Sequence, residues 1–195
     1  MTNDVTISKS NITKVDLFDG SVVFENIKEN HWRITVHSTP NTYSYYWGAM
    51  PANTVKGLID LMDSHYFAKN LIQHDRRYVP DWKCTFKVLR KFIREELGLK
   101  WYQHQAFQKD MRKAIKRFQQ WCCDVNSKRY FVDMFESQFI NDLDFGLIED
   151  AIAEKTIKAN FESITEPWHF IEDKYSNEFV WLMNLHTRIK TALSK

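Results

Sequence analysis

Lys14-Val15-Asp16-Leu17-Phe18-Asp19-Gly20-Ser21-Val22-Val23-Phe24 holds two short β-favouring runs on either side of Asp19-Gly20. That dipeptide suits a two-residue hairpin loop, because the turn needs positive φ and glycine supplies it without a Cβ clash. Downstream, Trp32, Ile34 and Val36 alternate with Arg33, Thr35 and His37, the period of a half-buried strand. Thr39-Pro40-Asn41 supplies turn chemistry, and Tyr43-Ser44-Tyr45-Tyr46-Trp47 is a fourth β-favouring run that stops at Gly48. Residues 13–48 therefore read as an antiparallel β-meander of three to four strands.

After Pro51 the period lengthens. Asn53 or Thr54 can cap a helix carrying Val55, Leu58, Ile59 and Met62, and Tyr66–Leu71 reads as a short second helix. A charged loop, His74 to Pro80, follows. Residues 81–97 have the strongest helical pattern, with Pro80 and Asp81 at the start and Gly98 past the end. Trp82, Phe86, Leu89, Ile93 and Leu97 share one stripe. Residues 103–122 repeat the design with Phe107, Met111, Ala114, Ile115, Phe118 and Cys122, so the pair reads as an antiparallel helical hairpin. Helices are also expected near 128–138, 146–162 and 175–193, the last with Tyr175, Phe179, Leu182, His186, Ile189 and Leu193 in register. The fold class is α+β: the N-terminal meander, then a mostly helical C-terminal part. Residues 1–74 hold the meander plus one or two helices, and residues 75–195 form a helical region expected to pack with it as one continuous domain.

Aromatic residues are abundant, with 14 Phe, 8 Tyr and 7 Trp, which supplies ample core and argues against disorder. Three cysteines, Cys84, Cys122 and Cys123, do not form a disulfide framework. No run of about 18 apolar residues spans a membrane, and the polar first residues lack a signal-peptide core. The expected setting is the reducing cytoplasm of a bacterial host cell. Net charge is +2 but segregated: residues 75–129 hold fifteen basic and six acidic side chains, residues 130–195 six basic and twelve acidic. Such asymmetry points to a charged partner, or to two blocks that neutralise each other within the fold.

Two charged surfaces follow. Lys83, Lys87, Arg90, Lys91 and Arg94 share a stripe of the first hairpin helix, and Lys109, Arg112, Lys113 and Lys116 share one of the second. They can neutralise phosphates without reading sequence, or form ordinary solvated faces. The last third presents Asp133, Glu136, Asp142, Asp144, Glu149, Asp150 and Glu154, which can sit where phosphates would sit on a nucleic-acid-binding partner. Asp142 with Asp144 offers only two carboxylates to a hard cation, and the seven histidines show no metal-ligand spacing. No metal or cofactor is expected. Alternation places Tyr43, Tyr45 and Trp47 on one strand face, as a base-stacking row or, better, as core under the helices. His186 falls on an apolar stripe, where a hydrogen-bonded core histidine is expected. No P-loop, GxSxG, HExxH or Rossmann glycine pattern occurs.

The run Tyr43-Ser44-Tyr45-Tyr46-Trp47-Gly48-Ala49-Met50, with Leu61-Met62-Asp63-Ser64-His65-Tyr66-Phe67-Ala68-Lys69-Asn70-Leu71 behind it, resembles small proteins of phages and prophages. Those carry a strand ending in Trp-Gly-x-Met, then a helix and a Tyr-Phe pair. The resemblance covers roughly residues 30–72 and brings no active-site residues. It implies a mobile-element setting, in which accessory proteins of this size often act by binding. The leading expectation is therefore a non-catalytic protein–protein interaction protein of phage origin, an inhibitor of a bacterial defence such as CRISPR-Cas. Its partner would be a host nucleic-acid-targeting complex. The alternatives are a nucleic-acid-binding protein using the hairpin 81–122 and an enzyme without a recognisable motif.

Overall fold

The computed structural model describes residues 11–17, 19–95 and 104–194. Four strands form one antiparallel sheet in the order β1-β2-β3-β4: β1 Asn11–Leu17, β2 Gly20–Lys28, β3 His31–Ser38 and β4 Thr42–Trp47. The meander and the α+β class expected from the sequence are both present. The first hairpin is displaced by one residue: Leu17 pairs with Gly20, so Gly20 opens β2 and Asp19 lies in the loop. Gly20 has φ +157°, and a Cβ there would lie 2.1 Å from the carbonyl oxygen of His37 on β3. The neighbouring strand, as much as the turn, demands the glycine.

Alternation holds across the sheet. Val22 pairs with Val36 and Val36 with Tyr43, all on the buried face, and Trp32 pairs with Trp47. Tyr45 shares that face but lies on the edge strand, where it is 41% exposed and packs edge-on against Trp47 at 4.7 Å. On the opposite face Thr35 and Ser44 share a hydrogen bond of 3.0 Å.

Three helices cover the buried face. Helix α1 (Val55–Asp60) is capped by Thr54, which accepts from the Gly57 N–H, and α2 (Ser64–Leu71) by Asp63. The third is the C-terminal helix, α7 (Asn177–Ala192), capped by Ser176. Its Phe179, Leu182, Leu185 and Ile189 join Leu58, Ile59, Phe67 and the sheet side chains in one core. Accordingly the first compact unit is Met1–Tyr78 together with Tyr175–Lys195, and the second is Val79–Lys174. The sequence groups residues 175–195 with the helical region; the structure places them in the unit of the sheet. The apolar face of a four-stranded sheet is wider than two short helices can cover.

The charged stretch 74–80, expected as a loop, is a 3₁₀ turn (His74–Arg76) followed by β5 (Tyr78–Pro80), which pairs with β6 (Asp173–Tyr175). Tyr175 thus belongs to a strand and not to the last helix. In the second unit, α3 (Trp82–Glu95) and α4 (Gln105–Val125) are the expected hairpin helices. Leu97 and Gly98 lie outside the described residues. Asp81 Oδ1 accepts from the Cys84 N–H at 3.2 Å, opening α3. Helix α5 (Lys128–Met134) runs on as a π-helical turn (Phe135–Phe139). The expected 146–162 helix begins only at Ala151, as α6 (Ala151–Glu162), after a 3₁₀ turn at Phe145–Leu147. Phe118 is fully buried, with the rings of Phe86, Phe131, Phe135 and Phe139 centred between 5.0 and 6.1 Å away.

Candidate functional site

The site begins with two amphipathic helices whose apolar stripes are satisfied. Trp82, Phe86, Leu89 and Ile93 of α3, and Phe107, Met111, Ala114, Ile115, Phe118 and Cys122 of α4, are all buried. At 3.6 residues per turn, positions 83, 87, 90, 91 and 94 fall within an arc of about 100°, so fixing the apolar stripe fixes the basic one. Lys83, Lys87, Lys91 and Arg94 are exposed and Arg90 is half-buried; Lys109, Arg112, Lys113 and Lys116 on α4 are exposed.

Between the two helices runs a groove of about 430 Å³. Arg90 and Arg94 line it from α3, Arg112 and Lys116 from α4, and Ile93, Met111 and Ile115 supply apolar lining. No acidic residue lines it among the described residues. Two glutamines that the sequence reading passed over set the arginines. Arg90 Nη2 donates to Gln119 Oε1 at 2.7 Å, bridging α3 to α4, and Arg112 Nη2 donates to Gln108 Oε1 at 3.4 Å. Arg94 Nε donates to the Arg90 carbonyl at 3.2 Å. Gln108 is buried within the apolar stripe of α4; a polar residue in that stripe, one turn before Arg112, was the available signal. Of the nine basic residues, only Lys91 makes an ion pair among the described residues, with Glu95 at 3.7 Å.

The acidic residues are spent differently. Asp133 pairs with Arg129 at 3.7 Å and Asp142 with Arg117 at 3.5 Å. Asp144 accepts from the Gly146 N–H at 3.1 Å. Asp150 caps α6, accepting from the N–H groups of Ile152 and Ala153 at 2.8 and 3.1 Å, and these bonds hold its carboxyl below the usual carboxylate range. The side chains of Glu136, Glu149 and Glu154 have no hydrogen bond or ion pair among the described residues. Within the described residues no cluster of three or more His, Cys, Asp or Glu could hold a metal.

The tyrosine row is mostly core. Tyr43 and Trp47 are buried, and the Tyr43 hydroxyl donates to Glu178, which also takes a bond from Asn41 at 3.2 Å and pairs with Arg76. Burial, then the Glu178 carboxylate, pushes the Tyr43 phenol up to about 12. A second cleft of about 560 Å³ lies beside β4 and includes Lys69, Arg76 and Arg77. There Arg76 is neutralised by Glu178, and Arg77 donates to the carbonyls of Lys69 and Ile72. Arg76 is thus neutralised, whereas no cation lining the α3–α4 groove has an acidic partner among the described residues.

His186 is the buried, hydrogen-bonded histidine expected, its Nε2 3.2 Å from the Ile59 carbonyl oxygen. Cys84, Cys122 and Cys123 are free thiols, and burial, then Cys123, pushes the Cys122 thiol up to about 12. Asp19 is held well below the usual carboxylate range by the Arg188 guanidinium, at 2.8 and 2.9 Å, and by the Trp181 N–H. Each of these shifts has a cause in the packing, and none of these groups lines the α3–α4 groove.

No helix among the described residues is long and apolar enough to cross a membrane. No curated protein and no solved structure matches the chain. A family model described as a phage family matches residues 2–195, well beyond the segment 30–72 that carries the resemblance in the sequence. The chain belongs to that phage family.

Proposed function

We propose that this phage protein is a non-catalytic binding protein whose basic α3–α4 face engages nucleic acid through its phosphates. The observation that carries the reading is the contrast between the two charged sets. Eight of the ten basic side chains on α3 and α4 have no acidic partner among the described residues, the exceptions being Lys91 and Arg117. Four of the seven acidic ones are consumed as helix caps, turn acceptors and ion pairs. Cations left unneutralised on adjoining helices displace the counterions condensed on a nucleic acid when they neutralise its phosphates. Binding should therefore weaken steeply with salt and discriminate little between sequences.

Fluorescence anisotropy of a labelled oligonucleotide, titrated with protein at several salt concentrations, tests this. Replacing Lys83, Lys87, Lys109 and Lys113 by alanine should flatten the plot of log affinity against log salt by roughly 0.7–0.9 per phosphate contact removed. Undiminished binding by that variant, or no binding by the parent protein at low salt, would end the reading.

The finer expectation, inhibition of a host nucleic-acid-targeting defence such as CRISPR-Cas by contact with a protein, has one supporting feature. Of the seven acidic candidates, Glu136, Glu149 and Glu154 have side chains that the fold leaves uncommitted. Affinity capture from a bacterial lysate, with and without nuclease, separates the two readings. A single nuclease-resistant partner complex supports inhibition, and loss of all partners after nuclease supports direct nucleic-acid binding.

A further inference from the structure

The ten basic residues of α3 and α4 do not form one uniform face. Lys83, Lys87, Lys91, Lys109 and Lys113 lie outside the groove, whereas Arg90, Arg94, Arg112 and Lys116 line it from both sides. Three of the four groove cations are arginines; of the six cations outside it five are lysines, and the sixth, Arg117, is paired with Asp142 at 3.5 Å. That partition matters chemically. A lysine is a mobile, strongly hydrated point charge, suited to a diffuse ion atmosphere. A guanidinium offers a planar fork that grips one phosphate group with two parallel bonds.

The arginines are also positioned in advance. Arg90 is held by Gln119 at 2.7 Å, Arg94 by the Arg90 carbonyl at 3.2 Å and Arg112 by Gln108 at 3.4 Å. Each bond uses one of the five N–H donors of its guanidinium and leaves the charge unneutralised. Holding the side chains beforehand reduces the entropy lost when a ligand is bound.

The shape of the groove selects among polyanions. Packed helices have axes about 8–10 Å apart, so the furrow between them is far narrower than a nucleic-acid duplex. A duplex can rest on the outer lysines but cannot bring its phosphates between the helices. A single strand can turn a phosphate inward and lay its sugar against Ile93, Met111 and Ile115. The groove volume of about 430 Å³ is at the small end of ligand sites, enough for a short piece of backbone. Its lining includes no aromatic ring among the described residues, so recognition rests on the backbone and not on base stacking.

We infer that the groove formed by Arg90, Arg94, Arg112 and Lys116 is a binding site for the sugar–phosphate backbone of single-stranded nucleic acid. This rests on the nucleic-acid reading above and adds a strand preference to it.

The test uses the full chain and a short fluorescein-labelled oligonucleotide of mixed sequence, as a single strand and as the matching duplex. The single strand should bind about tenfold more tightly than the duplex. Engagement of all four groove cations contributes about −2.8 to the single-strand salt slope. The double substitution Arg94→Gln/Arg112→Gln should erase the strand preference and reduce that slope by about 1.4. Lys83→Gln/Lys87→Gln should weaken single strand and duplex alike and keep their ratio. Arg94→Lys/Arg112→Lys retains charge but not the fork, and should keep the slope while losing affinity; far-ultraviolet circular dichroism checks that each variant is folded. Equal or tighter binding of the duplex would overturn the inference while leaving nucleic-acid binding intact, whereas failure of both probes to bind would overturn the broader reading as well. Displacement of the single strand by polyglutamate at equal charge concentration would also overturn it, because the groove would then be a carboxylate site suited to an acidic protein.

Discussion

His186 lies 3% exposed on α7, and its Nε2 can only donate to the Ile59 carbonyl oxygen 3.2 Å away, which fixes the tautomer of the neutral ring. Burial, with Lys190 adding to it, lowers its pKa below the ordinary histidine value. The sign of the consequence follows from linkage. The unfolded chain takes up the proton first, so the stability tied to His186 is complete above about pH 6.5 and declines as pH falls below it. The decline is at most about 1.4 kcal/mol per pH unit and stops at the folded-state pKa. His186→Gln keeps an N–H donor but does not titrate. Urea midpoints of the parent protein should fall between pH 7 and 5, and those of the variant should fall less; parallel curves would show that the acid response lies elsewhere.

At the scale of elements, the junction of β1, β2 and β3 is where the backbone leaves least freedom. A side chain on Gly20 would meet a backbone oxygen of β3 and not a side chain that can swing away. Gly20→Ala is expected to cost about 2–4 kcal/mol, combining an unfavourable φ with a shift of the β3 backbone. Thermal unfolding followed by circular dichroism reads this directly; a melting temperature within a degree or so of the parent would mean that the hairpin relaxes freely. The same element is tied to α7 by Asp19, whose carboxylate takes two bonds from Arg188 and one from Trp181. Both side chains of that ion pair are more than a third exposed, so solvent screening keeps its worth to about 1 kcal/mol or less.

For the whole molecule, the decisive fact is that one unit is continuous in sequence and the other is not. Val79–Lys174 carries a complete core of its own, centred on the phenylalanine cluster around Phe118. The sheet unit needs α7, which follows the second unit in the chain. A fragment spanning 79–174 should therefore fold with helical circular dichroism and a cooperative urea transition. A chain truncated after Tyr175 should expose the sheet face and aggregate or bind hydrophobic dyes. A fragment 79–174 without a cooperative transition would show that the second unit depends on the rest of the chain.

Local rules made much of this protein legible in its sequence. Period-two alternation identified β3 and β4, period-3.6 stripes placed every described apolar core residue of α3 and α4, and Thr54 and Asp81 marked helix starts, because each of these signals acts between residues close in the chain. The basic stripes were legible for the same reason, since a helix that buries one face exposes another. What local pattern does not encode is what lies opposite. Whether Asp142 is a free charge or the partner of Arg117, whether a tyrosine faces core or edge, and which lysines and arginines meet across a groove are settled by elements distant in sequence. So is the capture of α7 by the sheet, since an apolar stripe specifies that it must be covered but not by which surface. The sequence by itself determined the sheet strands, the main helices and their apolar faces; only the tertiary structure decided the pairing of those faces and the small β5–β6 ladder, because hydrophobic burial is non-directional and is resolved by the shapes available in the folded chain.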